Sequence, residues 1–272
     1  MTRLNMTMTR RDGQRFGKEP PPPQNDSGAM RIAKYLANAG VASRRKCEEF
    51  IGEGRVMVNG LLIDTPATLV TPGKDIVTCD GQQVTLPTTY VTYAFNKPVG
   101  YTCTVSDPHA EHTIYELLPE EMHSLHYVGR LDRDTEGLLL LTNDGALEQA
   151  ITHPSFEIEK RYLALCKGTF DREMEREMKA GIQDDGEYLR AKSVRARPSQ
   201  EPGCIIIEMV LTEGHKREVR RLCSAVGLRV LQLRRLSVGN IRLNGLPLGE
   251  FRQVNETELQ VLQELAFGKR HA

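Results

Sequence analysis

Apolar residues in the first third of the chain change from helical to strand spacing. Ile32, Tyr35 and Leu36 fall on one face of a predicted helix, which Gly40 can end in a left-handed conformation. Ser43 is a suitable N-cap for a second helix, with Gly54 at its end. The inward face of that second helix carries Cys47, Phe50 and Ile51.

A hairpin is predicted directly after these two helices. Residues 55–58 alternate as a strand does, Asn59-Gly60 is the strongest short hairpin signal, and the apolar residues 61–63 return. The first module is therefore expected to be helix–helix–hairpin.

Short strands mix with helices from residue 90 onward. Strands are predicted at residues 91–95, 138–142, 162–166 and 205–211, and helices at residues 146–152 and 172–180. Because strands and helices do not alternate regularly, the pattern favours an α+β fold with a mixed sheet over a parallel one.

Polar stretches set the expected boundaries between these parts. The predicted organisation is a leader without apolar periodicity over 1–29, a small domain over 30–80, a linker over 81–89, a large domain over 90–265 and a tail over 266–272.

Composition excludes several classes of protein. The chain has 272 residues, of which 39% are hydrophobic, enough for a buried core. Its longest apolar runs, at 138–141 and 204–207, are far shorter than the ~18–20 residues that span a bilayer, and no secretory signal is visible. The six cysteines lack C-x-x-C spacing, which favours reduced thiols without a metal. We expect a cytoplasmic protein that binds no membrane.

Charge is balanced overall but uneven locally. Lys+Arg and Asp+Glu both number 36, yet residues 215–242 hold eight basic residues and one acidic residue, Glu218. Such an excess predicts a face that binds a polyanion. Arg44, Arg45 and Lys46 begin the second helix, where its dipole favours acids. They are either a solvated surface or phosphate contacts.

The segment from Arg31 to Ile63, "RIAKYLANAGVASRRKCEEFIGEGRVMVNGLLI", resembles the S-four RNA-binding domain over about residues 30–76. The pairing of "AGVASRR" with "GRVMVNG" carries the resemblance. It implies that the helix pair binds RNA through Ser43, Arg44, Arg45 and Lys46.

In the segment 127–145, "YVGRLDRDTEGLLLLTNDG", charged residues crowd positions 130–136, just before the apolar strand predicted at 138–142. Burying a charge without a partner is costly, and loops on a rigid scaffold often carry reactive groups. On the residues alone, this segment is either a functional loop or a turn held by salt bridges. Asp132, Asp134 and Glu136 also leave a glycosidase-like acid pair open.

Four segments together resemble the pseudouridine synthase family, in particular the ribosomal-RNA branch that carries an S-four domain. They are "NKPVGYTC" (96–103), the segment 127–145, "EKRYLA" (159–164) and "LTEGHKREVRRLCSAVGLRVLQLRR" (211–235), in the order of the family. The resemblance implies isomerisation of uridine to pseudouridine in RNA, in which the base detaches, rotates and rejoins through a ring carbon. This chemistry needs no cofactor.

The resemblance also assigns site residues. Asp132 matches the aspartate that attacks or stabilises the sugar–base system, and Arg220 matches a cation that keeps this carboxylate ionised. Tyr162 matches a tyrosine that packs on the flipped base, and Arg130 matches a residue that helps to displace it. Lys216, Arg217 and Arg221 are expected beside the RNA, although Lys216 and Glu218 depart from the residues that relatives often have there. Lys97 and its neighbours match a supporting loop.

The segments 152–168 and 212–222 favour 23S large-subunit ribosomal RNA as the substrate, within precursor ribosomal particles, and a monomeric enzyme is expected. Two alternatives remain. One is a catalytically silent RNA-binding or ribosome-assembly factor of the same fold, and the other is a nucleoside or glycoside hydrolase that uses Asp132 and Glu136.

Overall fold

The computed structural model describes residues 28–104 and 110–268. The predicted leader up to residue 27 and the last four residues lie outside this part of the chain. The small domain contains β1 (Met30–Arg31), α1 (Ile32–Asn38), α2 (Arg44–Gly52), β2 (Val56–Val58), β3 (Leu61–Leu62), β4 (Leu69–Val70), β5 (Val77–Cys79) and β6 (Gln82–Val84).

The large domain starts at β7. Its first half contains β7 (Thr92–Lys97), β8 (His126–Val128), β9 (Glu136–Thr142), α3 (Gly145–Thr152), β10 (Lys160–Lys167), α4 (Arg172–Ala180), β11 (Ile182–Asp184) and β12 (Glu187–Leu189). Its second half contains β13 (Ser193–Pro198), β14 (Cys204–Leu211), α5 (Glu218–Ala225), β15 (Arg229–Val238), β16 (Ile241–Arg242), β17 (Phe251–Gln253) and α6 (Glu256–Phe267).

The small domain has the predicted helix–helix–hairpin order. The Ser43 hydroxyl accepts a hydrogen bond from the Lys46 backbone N–H at 3.3 Å, so it caps α2 as expected. The buried faces of α1 and α2 pack on a sheet with the order β3-β2-β5-β6.

The expected linker is partly wrong. Residues 82–84 form β6, which pairs with β5 across the turn Asp80-Gly81, so the small sheet extends into the stretch predicted to connect the domains. The predicted start of the tail, at residue 266, is also wrong. Helix α6 continues to Phe267, and Ala266 is buried in the core of the large domain.

One mixed sheet organises the large domain. Its strands follow the order β13-β14-β10-β15-β9-β7-β17, with β16 on β15 and β8 on β9. β9 and β15 are parallel, whereas the other pairs in this sheet are antiparallel. The buried residues Leu138–Leu141 of β9 alternate between clusters on the two faces of the sheet, which confirms the predicted buried strand and the α+β class.

Candidate active site

The loop between β8 and β9 is fastened by a buried lysine. Lys97 is fully buried, and its ammonium group donates to the carbonyl oxygens of Pro98, Asp132 and Thr135 at 3.0, 3.2 and 2.9 Å. Burial lowers the pKa of Lys97 against the pull of nearby acids. Its hydrogen bonds hold the loop on β7, the supporting role that the sequence suggests.

Gly137 lets β9 approach β15. Its φ is 110°, and a Cβ atom at this position would lie 2.3 Å from the Arg235 carbonyl oxygen. Arg235, itself buried, donates from Nε to the Leu138 carbonyl at 2.7 Å. A side chain at 137 would separate β9, the strand that follows the charged loop, from β15.

Two aspartates of the loop meet two arginines from α5 and the residue before it. Arg217 donates to both carboxylate oxygens of Asp134 at 3.2 and 3.1 Å, and its Nη1 lies 3.9 Å from Asp132 Oδ2. Arg220 donates to the Asp134 carbonyl at 2.8 Å and lies 3.2 Å from its carboxylate. Burial opposes ionisation of Asp134, but the Arg217 hydrogen bonds and the Arg220 charge hold its pKa below the usual value.

The expected ion pair between Arg220 and Asp132 is therefore wrong in its partners. Arg220 is bound to Asp134, while Arg217 is the arginine within 4.0 Å of the Asp132 carboxylate. Arg217 has a left-handed backbone, with φ 54° and ψ 30°, at the start of α5. A residue other than glycine held in this region is strained, and the fold retains that strain where Arg217 turns toward the two aspartates.

Tyr162 lies on the same sheet as this loop. It pairs with Arg235 of β15, which in turn pairs with Gly137 of β9. Its half-buried ring packs against two apolar clusters, one of which includes Leu131, the residue before Asp132. Arg130 is exposed at the start of the loop.

Half of the eight lysines and arginines in the basic segment 215–242 pair with acids from elsewhere in the chain, namely Arg217, Arg220, Arg221 and Arg234. Arg221 is bound to Asp184 and Glu187, and Arg234 lies 3.5 Å from Glu136. The expectation of a continuous polyanion face therefore holds for fewer residues than the composition suggests. Arg221 holds the β11–β12 hairpin against α5, whereas Lys216 is exposed.

The cations predicted in the small domain line the start of α2. A cleft of about 790 Å³ separates α2 from β8 and α3 of the large domain, and both Ser43 and Arg44 line it. Arg45 and Lys46 are exposed, and Lys46 also pairs with Glu49 at 2.6 Å. Tyr127 of β8 lines the opposite wall of this cleft.

One group of side chains in the described part of the chain can hold a metal ion. Ligand atoms of Glu213, His215 and Glu218, just before and within the first turn of α5, all lie within 4.8 Å of one another. The sequence gives little indication of this metal site, because two basic residues, Lys216 and Arg217, lie between His215 and Glu218.

Relatives share this combination of two domains. Residues 30–76 match the model of the S4 domain, and residues 91–225 match that of the RNA pseudouridylate synthase family. An uncharacterized RNA pseudouridine synthase of Aquifex aeolicus is 39% identical, covering 86% of this chain and 93% of that protein. Ribosomal large subunit pseudouridine synthase B of Bacillus subtilis is 36% identical, covering 87% and 96%. A crystal structure of a pseudouridylate synthase superposes with a TM-score of 0.60 at 26% identity, covering 86% and 99%.

Fold and relatives define an RNA-modifying isomerase with an S4 domain before its catalytic domain. The chain belongs to the RNA pseudouridine synthase family. It is an enzyme that makes pseudouridine in RNA, and the alternatives of a silent binding factor and a hydrolase lose their support. None of the helices in the described ranges is long and apolar enough to cross a membrane.

Proposed function

We propose that this enzyme isomerises a specific uridine in large-subunit (23S) ribosomal RNA, with Asp132 as the catalytic carboxylate. The ribosomal substrate is supported by the Bacillus subtilis relative, whose name states the large subunit and which this chain matches over 96% of its length. A cytoplasmic location among precursor ribosomal particles accords with that substrate.

The observation that carries the catalytic assignment is the position of the Asp132 carboxylate. Its side chain is 35% exposed, so RNA can reach it, and Arg217 lies 3.9 Å away. The Asp132 backbone is fixed by Lys97 at its carbonyl oxygen. A carboxylate held rigidly beside a cation can bond to the electron-poor sugar carbon that forms when the glycosidic bond breaks, or stabilise it by charge.

The other side chains take roles around that carboxylate. The Tyr162 ring offers a surface on which an extruded uracil stacks, a contact worth about 1–3 kcal/mol, which offsets the cost of unstacking. Arg130, exposed two residues before Asp132, occupies the space that the target base leaves. Arg217 places a positive charge 3.9 Å from the Asp132 carboxylate, and Arg220 positions Asp134.

Replacing Asp132 by asparagine tests this assignment. The Asp132→Asn variant should lose uridine conversion by at least about 1000-fold, while its affinity for transcribed 23S ribosomal RNA stays within a few-fold of the parent. Conversion is measured by chemical mapping of pseudouridine.

Asp185→Asn is the matched control. It removes the same charge on the exposed β11–β12 turn, where φ is 46° and asparagine is tolerated, so it should convert uridine at the parent rate. Full activity of Asp132→Asn would show that Asp132 is not the catalytic carboxylate. If the parent enzyme converts uridine only in small-subunit RNA, the proposed 23S substrate is wrong.

A further inference from the structure

We propose that Glu213, His215 and Glu218 bind one divalent transition-metal ion of the Zn²⁺ type between β14 and α5. Their ligand atoms lie within 4.8 Å of one another, and His215 Nε2 is 2.7 Å from Glu213 Oε2. One imidazole and two carboxylates form a set of three ligands that suits such ions, with water in the fourth position.

A buried carboxylate oxygen without a partner supports the presence of an ion at this site. Glu218 is 4% exposed, and its Oε2 accepts the His215 backbone N–H at 3.0 Å. Its Oε1 is buried and has no hydrogen-bond partner among the described residues. The nearby Lys160 ammonium group donates to the Thr212 carbonyl at 3.3 Å. A buried carboxylate oxygen without a partner is costly, and a bound cation would satisfy it.

The surroundings of His215 orient its ring for this purpose. Nδ1 lies 3.1 Å from Glu187 Oε1, and the second oxygen of Glu187 is held by Arg221. A carboxylate behind the imidazole fixes the proton on Nδ1 and leaves Nε2 to bind a metal. Since Glu213 also faces Nε2, a proton occupies that nitrogen when the ion is absent. Binding of the ion would release this proton to the solvent.

The ion would take no part in the proposed reaction, and its binding can be measured without RNA. Its ligands flank Arg217, whose backbone is left-handed at the start of α5. An ion bound by residues on both sides of this position would stiffen the segment that carries Arg217. We therefore assign the ion a structural role.

Calorimetric titration of the full-length, chelator-stripped protein with ZnCl₂ tests the proposal. One equivalent should bind per chain. His215→Gln and Glu213→Gln should each weaken binding at least tenfold, and Glu187→Gln, behind the imidazole, by about 10–100-fold. Mg²⁺, which prefers oxygen ligands alone, should not compete.

His112→Gln is the matched control, because His112 Nδ1 lies 2.8 Å from Glu116 in an exposed pair; it should bind Zn²⁺ as the parent does. Co²⁺ should give a spectrum without a thiolate-to-metal band, which excludes binding by the six cysteines. Absence of saturable binding, parental affinity in both the Glu213→Gln and the Glu187→Gln variants, or a thiolate band would overturn the proposal. Glu187→Gln keeps the test decisive if His215→Gln does not fold.

Discussion

Arg217 reaches both Asp132 and Asp134 in the loop between β8 and β9, so its guanidinium distributes one positive charge between them. Arg217→Ala should lower uridine conversion by about 100–1000-fold, the usual loss when one charged donor of an active site is removed. The measurement is single-turnover conversion of a 23S fragment. Arg176→Ala, which removes an exposed arginine from α4, should retain full activity. Equal rates for the two variants would show that Arg217 does not act on Asp132.

Lys160, on β10 two residues before Tyr162, makes stability depend on pH. It is 6% exposed, and burial together with the Arg235 charge lowers its pKa to about 8, against 10.5 in the unfolded chain. Between these values the unfolded state binds more protons, so the free energy of unfolding rises with pH. Between pH about 8 and about 10, the free energy of unfolding of the parent should increase by about 1–3 kcal/mol more than that of the Lys160→Met variant. Chemical denaturation in chelator-containing buffer measures it, and parallel pH profiles of the two proteins would contradict the assignment.

Residue identities alone locate much of the candidate site. The motif around residue 132 predicts which loop is charged, and the structure brings it beside Arg217 and Arg220. Which arginine pairs with which aspartate is not predictable from the sequence. The pairing depends on how Arg217 and Asp134 are oriented, and these residues lie in segments more than 80 residues apart. Asp134, which the sequence leaves as an alternative acid, receives the Arg220 contact expected at Asp132.

At the scale of elements, periodicity predicts several whose buried faces are wholly apolar, although it misses α6. Helix α4 has the predicted bounds, and β9 and β14 extend the predicted strands by one or two residues. Helix α5 and strand β15 are missed because arginines interrupt their patterns, although Val219, Leu222 and Cys223 are buried at helical spacing. Strand β6 gives no signal because it is a polar edge strand.

The contact of β9 with β15 depends on the absence of a side chain at residue 137. Gly137→Ala should lower the free energy of unfolding by at least about 3 kcal/mol, since backbone strain and overlap with Arg235 add. Gly186→Ala is the matched control: its φ is 75°, but a Cβ atom there meets nothing within 4 Å, so strain alone should cost about 1–2 kcal/mol. Denaturant unfolding compares them, and equal losses would show that β9 and β15 separate at little cost.

At the scale of the whole molecule, the cleft brings α2 of the small domain opposite β8, the strand that leads to Asp132. We expect RNA phosphates to follow this cleft. Replacing Arg44 and Arg45 by glutamine should weaken RNA binding and reduce the slope of log affinity against log salt by about 1.5, because two phosphate contacts are lost.

The matched control replaces Arg172 and Arg176, two exposed arginines of α4, by glutamine. Its salt slope should equal that of the parent in filter-binding titrations. An unchanged slope in the Arg44 and Arg45 variant would remove α2 from the RNA-binding surface.

The parallel pairing of β9 with β15 also bears on the order of folding. Gly137 and Arg235 are neighbours in the sheet although nearly one hundred residues separate them in the chain. Such long-range contacts are slow to form because chain entropy is lost before they contribute stability. During synthesis, the residues around position 132 leave the ribosome well before α5 and β15 do. The carboxylate that we propose to be catalytic therefore stays without Arg217 until α5 has been made, and uridine conversion should not begin before that point.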